Sequence, residues 1–277
     1  MKALCVIREQ PHYRRDAFAS GLAAAGYKVD VQELHSARVG KVSPEDRLVV
    51  WNRYGTGEAL ARQWEAAGGR VIVAENGYLG NDREGRQHYA LALDQHNGGG
   101  KWPVGDGERF DALGVELKPL RDAGDHILVC PNRPFGPKGF AMPADWAADV
   151  ARRVAQYTKR EVRIRPHPGN WQKEPPKVPL ADDLKGCWAV VTWASSAGVH
   201  ALVAGVPVIY EAPWWIMLGA GIRGVKHVEF ASCGLGSRRL AFERLAWAQW
   251  TVEEIARGEP FGHLLPAARQ AQVPAAV

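Results

Sequence analysis

The sequence predicts an α/β protein with two doubly wound domains, each built on a parallel β-sheet, that face each other across a cleft. Three observations lead to this prediction. Short apolar segments alternate with segments whose apolar residues recur at helical spacing, which is typical of parallel strands joined by helical crossovers. The alternation stops at Tyr78, where a polar, glycine-containing stretch begins, and it starts again at His126. Two such runs in 277 residues suit two domains of ordinary size.

The first run opens with a strand at Ala3–Ile7, followed by the helix-period segment AFASGLAAAG and a strand at Lys28–Gln32. A strand at Asp46–Asn52, a helix at Gly57–Gly68 and a strand at Arg70–Gly77 come next. Each helix segment ends at a glycine, which is a common helix stop. Strand and helix thus follow each other in the order that a parallel sheet requires.

The stretch from Tyr78 to about residue 125 separates the two runs. HYALALDQ has strand character within it, whereas YLGNDREGRQ and HNGGGKWPVGDGE carry turn-forming residues and are predicted to be loops. We therefore predict an amino-terminal domain over residues 1–122, a carboxyl-terminal domain over 123–258 and a tail over 259–277. The last helices of the second domain are candidates for packing back on the first.

The second run contains strands at His126–Asn132, Glu161–Arg165, Cys187–Trp193 and Val206–Tyr210. The segment ADWAADVARRVAQYTKR has helical spacing between the first two, and RRLAFERLAWAQWTVEEIARG predicts two further helices. In doubly wound sheets ligands bind beyond the carboxyl ends of the strands. The residues that follow each strand are therefore the first place to look for chemistry.

Composition and charge narrow the function classes. The four cysteines are scattered and form no CxxC pair, so the sequence offers no zinc or redox motif. The net charge of +5 favours an anionic partner such as nucleotide phosphates, nucleic acid or a membrane surface. The apolar run in MKALCVIREQ is too short for a signal peptide, and no run suits a membrane span. We therefore expect a cytoplasmic protein.

The segment RIRPHPG, residues 163–169, places a histidine between two prolines at a strand end. Proline fixes its own φ, and Pro168 favours an extended conformation for His167, so the imidazole loses little entropy on binding. Arg163 and Arg165 alternate onto one face of the strand. An imidazole beside a guanidinium suits a phosphate oxygen, through charge-assisted hydrogen bonds. The alternative is a strand terminator in which His167 only caps a loop.

The strand CWAVVTW runs into ASSAGVHALVAGVPVIY. Ser195 or Ser196 is a natural N-cap for the helix that follows, and Ala197 and Gly198 are small enough to let a ligand approach the backbone. A helix N-terminus opened by hydroxyl residues is a ready anion site. Together with His167, these residues predict a two-part phosphate site at one edge of the sheet. An ordinary capped helix is the alternative.

Two further loops lie at the same predicted edge. The first strand of the second run is followed by Asn132, Arg133 and Lys138, which make a polar, basic loop. Glu211 follows the strand VPVIY, where a carboxylate could accept hydrogen bonds from ribose or sugar hydroxyls. The next tryptophans, Trp214 and Trp215, could stack on a base or a sugar.

The combination of RPHP after a strand, SS at the start of the following helix and GVPVI beyond it resembles the carboxyl-terminal domain of GT-B glycosyltransferases. It is similar in particular to capsule-type enzymes such as polysialyltransferases, Kdo transferases and CDP-glycerol polymerases. The resemblance covers residues 163–210 and implies that His167, Ser195 and Ser196 contact the phosphates of a donor nucleotide. It implies a GT-B-like fold, a nucleotide-sugar donor of UDP or CMP type and no further cofactor.

A glycosyltransferase that inverts configuration needs a base to take the acceptor proton. The sequence shows no DxD motif of the kind that metal-dependent glycosyltransferases use, so we expect no metal. The base is expected in the amino-terminal domain. Asp94 is the first choice, paired with His96, because alternate residues of a continuing strand share a face. Glu75 is the second choice, after the strand RVIVA, and Glu9 and His12 after the first strand are further candidates.

The sequence leaves the identity of the acceptor open. The compact, basic chain also resembles glycosyltransferase-like proteins of phage genomes, which implies a hydroxymethylated base in DNA as one acceptor. The basic residues that could meet a DNA backbone are Arg14, Arg15, Arg83, Arg86 and Lys101. The alternatives are a transferase for surface polysaccharide, a nucleotide-sugar epimerase and a non-catalytic protein that binds nucleotides or nucleic acid.

Overall fold

The computed structural model describes residues 1–96, 98–169, 176, 178–232 and 237–270, with side chains described up to residue 264. Cys5, Cys130 and Cys187 are buried free thiols, and Cys233 lies outside the described residues. Burial raises the pKa of Cys5 to about 11 and that of Cys130 to about 12. These three cysteines therefore act as small core residues, as the absence of a CxxC pair indicates.

The strands of the described residues follow the predicted alternation with helices. They are β1 Lys2–Cys5, β2 Lys28–Val31, β3 Arg47–Trp51, β4 Arg70–Asn81, β5 Gln87–Leu93, β6 His126–Cys130, β7 Glu161–Ile164, β8 Cys187–Thr192, β9 Val208–Tyr210, β10 Ile222–Arg223 and β11 Gln249–Trp250.

The α-helices lie between and after these strands, together with a 3₁₀ helix at Val225–Phe230. They are α1 His12–Ala24, α2 Thr56–Ala66, α3 Glu108–Ala112, α4 Trp146–Val154, α5 Leu180–Asp183, α6 Ser196–Val203, α7 Arg238–Ala246, α8 Val252–Ala256 and α9 Glu259–Gln270. In the part of the chain that the structure describes, no helix has the length and apolar character needed to cross a bilayer.

The chain divides into two compact units. Unit 1 comprises Met1–Arg109 and Arg244–Val277, and unit 2 comprises Phe110–Glu243. The predicted boundaries, 122/123 and 258/259, differ from this division. The reason lies in the carboxyl-terminal segment, where β11 pairs with β5 and both α8 and α9 pack against α1. Gly21 permits the approach of α1 and α8, because a Cβ there would lie 1.7 Å from the carbonyl oxygen of Ile255.

The sheet of unit 1 has the strand order β11-β5-β4-β3-β1-β2. β1 to β4 are parallel, as the sequence predicts, whereas β5 runs antiparallel to β4 and β11 runs antiparallel to β5. On one face Leu60, Ala61 and Trp64 of α2 pack on the apolar residues of β1, β3 and β4. The mixed sheet arises because β4 turns directly into β5 without a helix between them.

The tight connection between β4 and β5 corrects the prediction that YLGNDREGRQ is a loop. β4 continues to Asn81, which pairs with Gln87 at the start of β5. The side chain of Asp82 closes the turn by accepting hydrogen bonds from the amides of Glu84 and Arg86, at 3.0 and 2.8 Å. An aspartate that bonds the backbone ahead of it is a typical turn former. A hairpin therefore places the carboxyl end of β5 at the opposite edge of the sheet from that of β4.

The sheet of unit 2 has the strand order β10-β9-β8-β6-β7, and its paired strands are parallel. Trp146, Val150 and Val154 of α4 cover one face, against alternate residues of β6 and β8. Because the strands are parallel, the carboxyl ends of β6, β7 and β8 lie at one edge. The two sheets and their helices confirm the predicted α/β fold class.

Candidate anion-binding site

The carboxyl edge of the unit 2 sheet holds a pocket of about 130 Å³. β6 lies between β7 and β8, so the segments that follow these three strands meet at one place. The pocket is lined by Arg165, His167, Ser195, Ser196, Ala197 and His200, among others. The structure therefore brings together the His-Pro segment and the Ser-Ser segment that the sequence singled out separately.

His167 is half-buried in this pocket and held by its own turn. The amide of Gly169 donates a hydrogen bond to Nδ1 of the imidazole at 2.9 Å. Since Nδ1 accepts, the hydrogen of the neutral ring is on Nε2. Desolvation lowers the pKa of His167 from its ordinary value, and the nearby charge of Arg133 lowers it further. At neutral pH the ring is an uncharged donor, suited to an anionic oxygen.

Ser195 is the N-cap of α6. Its backbone is extended, with φ −72° and ψ 149°, and its Oγ accepts a hydrogen bond from the amide of Ala197 at 3.2 Å. Ser195 is buried, whereas Ser196 is exposed at the first position of the helix. The hydroxyl hydrogen of Ser195 and the whole hydroxyl of Ser196 thus remain for a ligand at the positive end of the helix.

Two polar residues fix this helix start: Thr192, which the sequence analysis did not choose, and Asn132, which it placed in the basic loop. The hydroxyl of Thr192 accepts from the amide of Ser195 at 3.0 Å and donates to the carbonyl of Cys130 at 2.8 Å. Oδ1 of Asn132 accepts from the amide of Ala194 at 2.9 Å. These bonds connect the end of β8 to the end of β6. A polar residue at the last position of an apolar strand is the sequence signal for such a role.

The sequence analysis predicted that Gly198 is small so that a ligand can approach the backbone. The structure gives another reason, which is packing. A Cβ at this position would lie 2.7 Å from the buried ring of Trp215 and 3.3 Å from the side chain of Thr192. The glycine therefore permits α6 to pack on Trp215 and on the end of β8. This packing holds the N-terminus of α6 against the strand that precedes it.

His200 also lines the pocket, and sequence reasoning missed it. It follows Ser196 by four residues, so both side chains lie on the same side of α6. His200 stays accessible to solvent, yet the protein packed around it desolvates the charged ring and lowers its pKa. The i, i+4 spacing from a predicted anion-binding serine was the available signal.

The predicted cationic residues of the site differ in whether their charge is available to a ligand. Arg165 forms an ion pair with Asp183 and donates to the carbonyl of Val178 at 2.9 Å, so its charge is compensated within unit 2. Arg133 is exposed, and its guanidinium lies 4.7 Å from the centre of the Phe135 ring. Lys138 is also exposed. The positive potential at the pocket is thus owed mainly to Arg133 and the start of α6.

Glu211 makes internal contacts with both carboxylate oxygens. Arg153 donates to them at 2.7 and 2.6 Å, and Nε1 of Trp146 donates to one of them at 2.9 Å. The bidentate Arg153 contact is the main reason that the pKa of Glu211 is lowered. This geometry supports the packing of α4 against the end of β9. The predicted contact of Glu211 with a ligand stays a prediction.

The two neighbouring tryptophans have different environments. Trp215 is buried, with 1% of its surface exposed, and it packs against Tyr210. Trp214 is 46% exposed and stacks on Phe140, with ring centres 4.5 Å apart. Of the pair, Trp214 is therefore the one that can offer a ring surface to a ligand.

In unit 1 the predicted pair of Asp94 and His96 does not share a strand face. β5 ends at Leu93, and Asp94 has a positive φ of 71°, which ends the alternation. The carboxylate of Asp94 accepts from Nη2 of Arg70 at 2.8 Å, and its amide donates to the carbonyl of Val71 at 2.8 Å. Asp94 therefore lies beside the first residues of β4, away from the carboxyl edge of the parallel strands.

Glu75 lies further along β4, near the carboxyl ends of the parallel strands of unit 1. Ala74 pairs with Trp51, the last residue of β3, so Glu75 extends just beyond the carboxyl end of that strand. Its carboxylate accepts a hydrogen bond from the hydroxyl of Tyr78 at 2.7 Å. Glu75 and Asp94 are separated by roughly 13 Å along β4, at about 3.3 Å per residue. His96 is buried, with 4% of its surface exposed.

The described residues contain no group of three or more His, Cys, Asp or Glu side chains arranged to hold a metal ion. The pocket in unit 2 instead offers an imidazole N–H, two serine hydroxyls and the start of a helix. These are hydrogen-bond donors, and their natural ligand is an anion such as phosphate.

Neither a family model nor a curated protein matches the chain. Among solved structures, it is similar to Thermosulfurimonas dismutans KpsC, described as a beta Kdo 2,7 transferase, at 15% identity and a TM-score of 0.52. That match covers 92% of this chain and 97% of the other. A second, the KpsC beta Kdo 2,4 transferase of the same organism, matches at 16% identity and a TM-score of 0.51, covering 89% of each chain. The likeness confirms the predicted GT-B-like fold class.

Proposed function

We propose that this protein is a glycosyltransferase whose unit 2 binds the phosphate of an activated sugar donor. The observation that carries the proposal is the pocket shared by His167, Ser195 and Ser196 at the carboxyl edge of parallel strands. Ligands of doubly wound sheets bind at this edge. The GT-B-like fold, shared with two proteins named as Kdo transferases, supports the same reaction class.

The pocket supplies what a leaving phosphate needs. Negative charge increases on the phosphate as the bond from the anomeric carbon to its oxygen breaks. Donors held in place before the reaction stabilise that charge without having to reorganise. In the proposed mechanism the Nε2–H of His167, the hydroxyl of Ser196 and the N-terminus of α6 act in this way. A metal ion is then not required.

The donor is proposed to be a nucleotide sugar of UDP or CMP type. Trp214 supports this assignment, because an exposed ring beside the basic loop of Arg133 can stack on a base. Within the proposed mechanism His167 binds the donor and does not transfer protons, since its neutral ring already carries a hydrogen on Nε2.

We place Glu75 first among the candidates for the catalytic base. It lies at the carboxyl edge of the unit 1 strands, whereas Asp94 lies at the opposite edge and is paired with Arg70. In the proposed step the Glu75 carboxylate takes the proton of an acceptor hydroxyl. The acceptor oxygen then forms a bond to the anomeric carbon, and the nucleotide leaves with the electron pair of the broken C–O bond.

A polysaccharide or other sugar-bearing acceptor is favoured over DNA. Several of the basic residues predicted to meet a DNA backbone are paired with carboxylates, and a paired cation releases fewer counterions on binding phosphate. These are Arg15, paired with Glu9 and Glu33, Arg86, paired with Asp82 and Glu84, and Lys101, 3.8 Å from Asp94. DNA binding that falls steeply with salt would restore the DNA alternative.

The test begins with a thermal-shift screen of the full chain against nucleotides and nucleotide sugars. A ligand that binds only the folded state raises the unfolding temperature by mass action. The best ligand is then titrated into wild type and His167→Ala, with Lys159→Ala as the control, at an exposed residue just before the amino end of β7 and outside the pocket. Mass spectrometry with a panel of sugar acceptors follows. If no nucleotide or nucleotide sugar binds, or none is turned over, the proposal fails.

A further inference from the structure

Arg14 is a buried cation in unit 1 that the proposed donor site does not use. It is the third residue of α1, and its guanidinium lies over the ring of Trp51, 4.3 Å from the centre. Nη2 donates to the carbonyl of Gln10 at 2.5 Å, and the ring of Tyr89 lies 5.9 Å away. Since Trp51 ends β3, the guanidinium lies at the carboxyl edge of the parallel strands of unit 1.

The charge of Arg14 is not balanced by a carboxylate of the described residues. Only 8% of its surface is exposed, and Nε has no hydrogen-bond partner there. A buried cation is normally paired, because its desolvation is costly. Arg53 of the same unit follows this rule, with Glu58 and Glu65 at 2.7 and 2.6 Å. Arg14 instead has neutral partners, the carbonyl of Gln10 and the side chains of Trp51 and Tyr89, which compensate part of the cost without balancing the charge.

The surroundings add positive potential at the same place. The first turn of α1 contains no acidic residue, so its partial positive charge is not offset there. Arg8 lies close enough that its charge lowers the pKa of Arg14, in addition to the larger effect of burial. The combination of a buried guanidinium, a second arginine and a helix start is suited to an anion.

We propose that Arg14 is the centre of a second anion site, which binds the carboxylate or phosphate of an acidic sugar. A planar guanidinium binds either group through parallel hydrogen bonds, and an anion there would balance the charge that the neutral partners of Arg14 leave uncompensated. The anion site depends only on the geometry of unit 1. Its assignment to the acceptor of the transferase rests on the proposed function.

The test uses the full chain and three matched sugars: glucuronate, glucose 6-phosphate and glucose. Binding is measured by saturation-transfer NMR and calorimetry. Wild type is expected to bind at least one of the two acidic sugars tenfold or more tightly than glucose, and the preferred one tells carboxylate from phosphate. Arg14→Gln is expected to abolish that preference. Equal binding of all three sugars by wild type would overturn the proposal.

Two further variants make the outcome specific to Arg14. Arg15→Gln removes the neighbouring arginine, which is paired with Glu9 and Glu33 on the surface, and is expected to leave acidic-sugar binding unchanged. Arg14→Lys keeps the charge but lacks the planar guanidinium, so it is expected to bind the preferred acidic sugar several-fold more weakly. This variant takes the place of Arg14→Gln in the test if Arg14→Gln does not fold. An undiminished preference in a folded Arg14 variant overturns the proposal.

His167→Ala separates this inference from the proposed function. It is expected to weaken nucleotide binding while leaving acidic-sugar binding intact. Loss of acidic-sugar binding in His167→Ala would assign those sugars to unit 2 and overturn the Arg14 site. Failure to find a nucleotide donor would contradict the proposed function only, because the preference for acidic sugars is measured without a donor.

Discussion

The amide of Gly169 donates to Nδ1 of His167 at 2.9 Å. Because Nδ1 accepts this bond, the hydrogen of the neutral imidazole is on Nε2, the nitrogen that remains for a ligand. A histidine between two prolines is rigid in its backbone, but the sequence does not determine its tautomer. The turn does so, because the amide two residues later occupies Nδ1. The result is a neutral ring with an N–H donor in an anion pocket.

Replacing His167 with alanine is expected to weaken nucleotide binding by about 1.5–3 kcal/mol, the typical contribution of a hydrogen bond to a charged group. Calorimetry with the best ligand of the nucleotide screen measures the change. Lys159→Ala, at an exposed residue of unit 2 outside the pocket, is expected to leave the affinity unchanged. Unchanged affinity in His167→Ala would remove this residue from the donor site.

The lowered pKa values of His167 and His200 make a prediction about stability. The unfolded chain takes up protons near the ordinary histidine pKa of 6.5, whereas the folded chain binds them only at lower pH. The stability contribution of the neutral rings is therefore complete above pH 6.5 and is lost as the pH falls below it. Urea unfolding at several pH values measures this slope. The double variant His167→Ala, His200→Ala is expected to have a flatter slope between pH 7 and 5.

Nucleotide binding is expected to depend on pH in the opposite direction from the stability of the fold. A bound phosphate favours the charged form of a nearby imidazole, so nucleotide binding is expected to be accompanied by proton uptake below neutral pH. Calorimetry in buffers of different ionisation enthalpy measures the number of protons taken up. His200→Ala is expected to reduce that number without abolishing binding. Equal uptake in wild type and in variants of both histidines would contradict this prediction.

Glu75→Gln and Asp94→Asn distinguish the two carboxylates. If Glu75 is the base, its amide variant is expected to lose about 100-fold or more in kcat, while it still binds the nucleotide. Asp94→Asn weakens the ion pair with Arg70 and is expected to lower stability by a small amount, about 1 kcal/mol or less, with little effect on kcat. Turnover assays and thermal unfolding on both variants are the measurements. The reverse pattern would return Asp94 to first place.

Glu211→Gln tests whether this residue belongs to the fold or to the donor site. Its carboxylate accepts from Arg153 and from Trp146, so the variant is expected to lose about 1–3 kcal/mol of stability. Nucleotide affinity is expected to change by less than about 1 kcal/mol at temperatures where the variant is folded. A large loss of affinity with unchanged stability would show that Glu211 contacts the ligand.

The sequence by itself determined the alternation of strands and helices and the two segments of the pocket. Apolar periodicity, the prolines around His167 and the hydroxyl residues before α6 are local signals, because each acts within one turn or one strand. The direction of β5, in contrast, could not be predicted from such local signals. A hairpin at Asp82 reverses the chain, so Asp94 lies at the edge of the unit 1 sheet away from the carboxyl ends of β1, β3 and β4, although its sequence neighbours suggested otherwise.

Tertiary structure alone decided which polar residues are committed to the fold. Arg165 with Asp183, Glu211 with Arg153 and the contact of Gly198 with Trp215 each join residues from different segments of unit 2. The same holds for Arg14, whose position over Trp51 leaves a buried guanidinium without a carboxylate among the described residues. A charge or a small residue shows its type in the sequence, but its partner depends on which strands are neighbours in the sheet. That information exists only once the chain has folded.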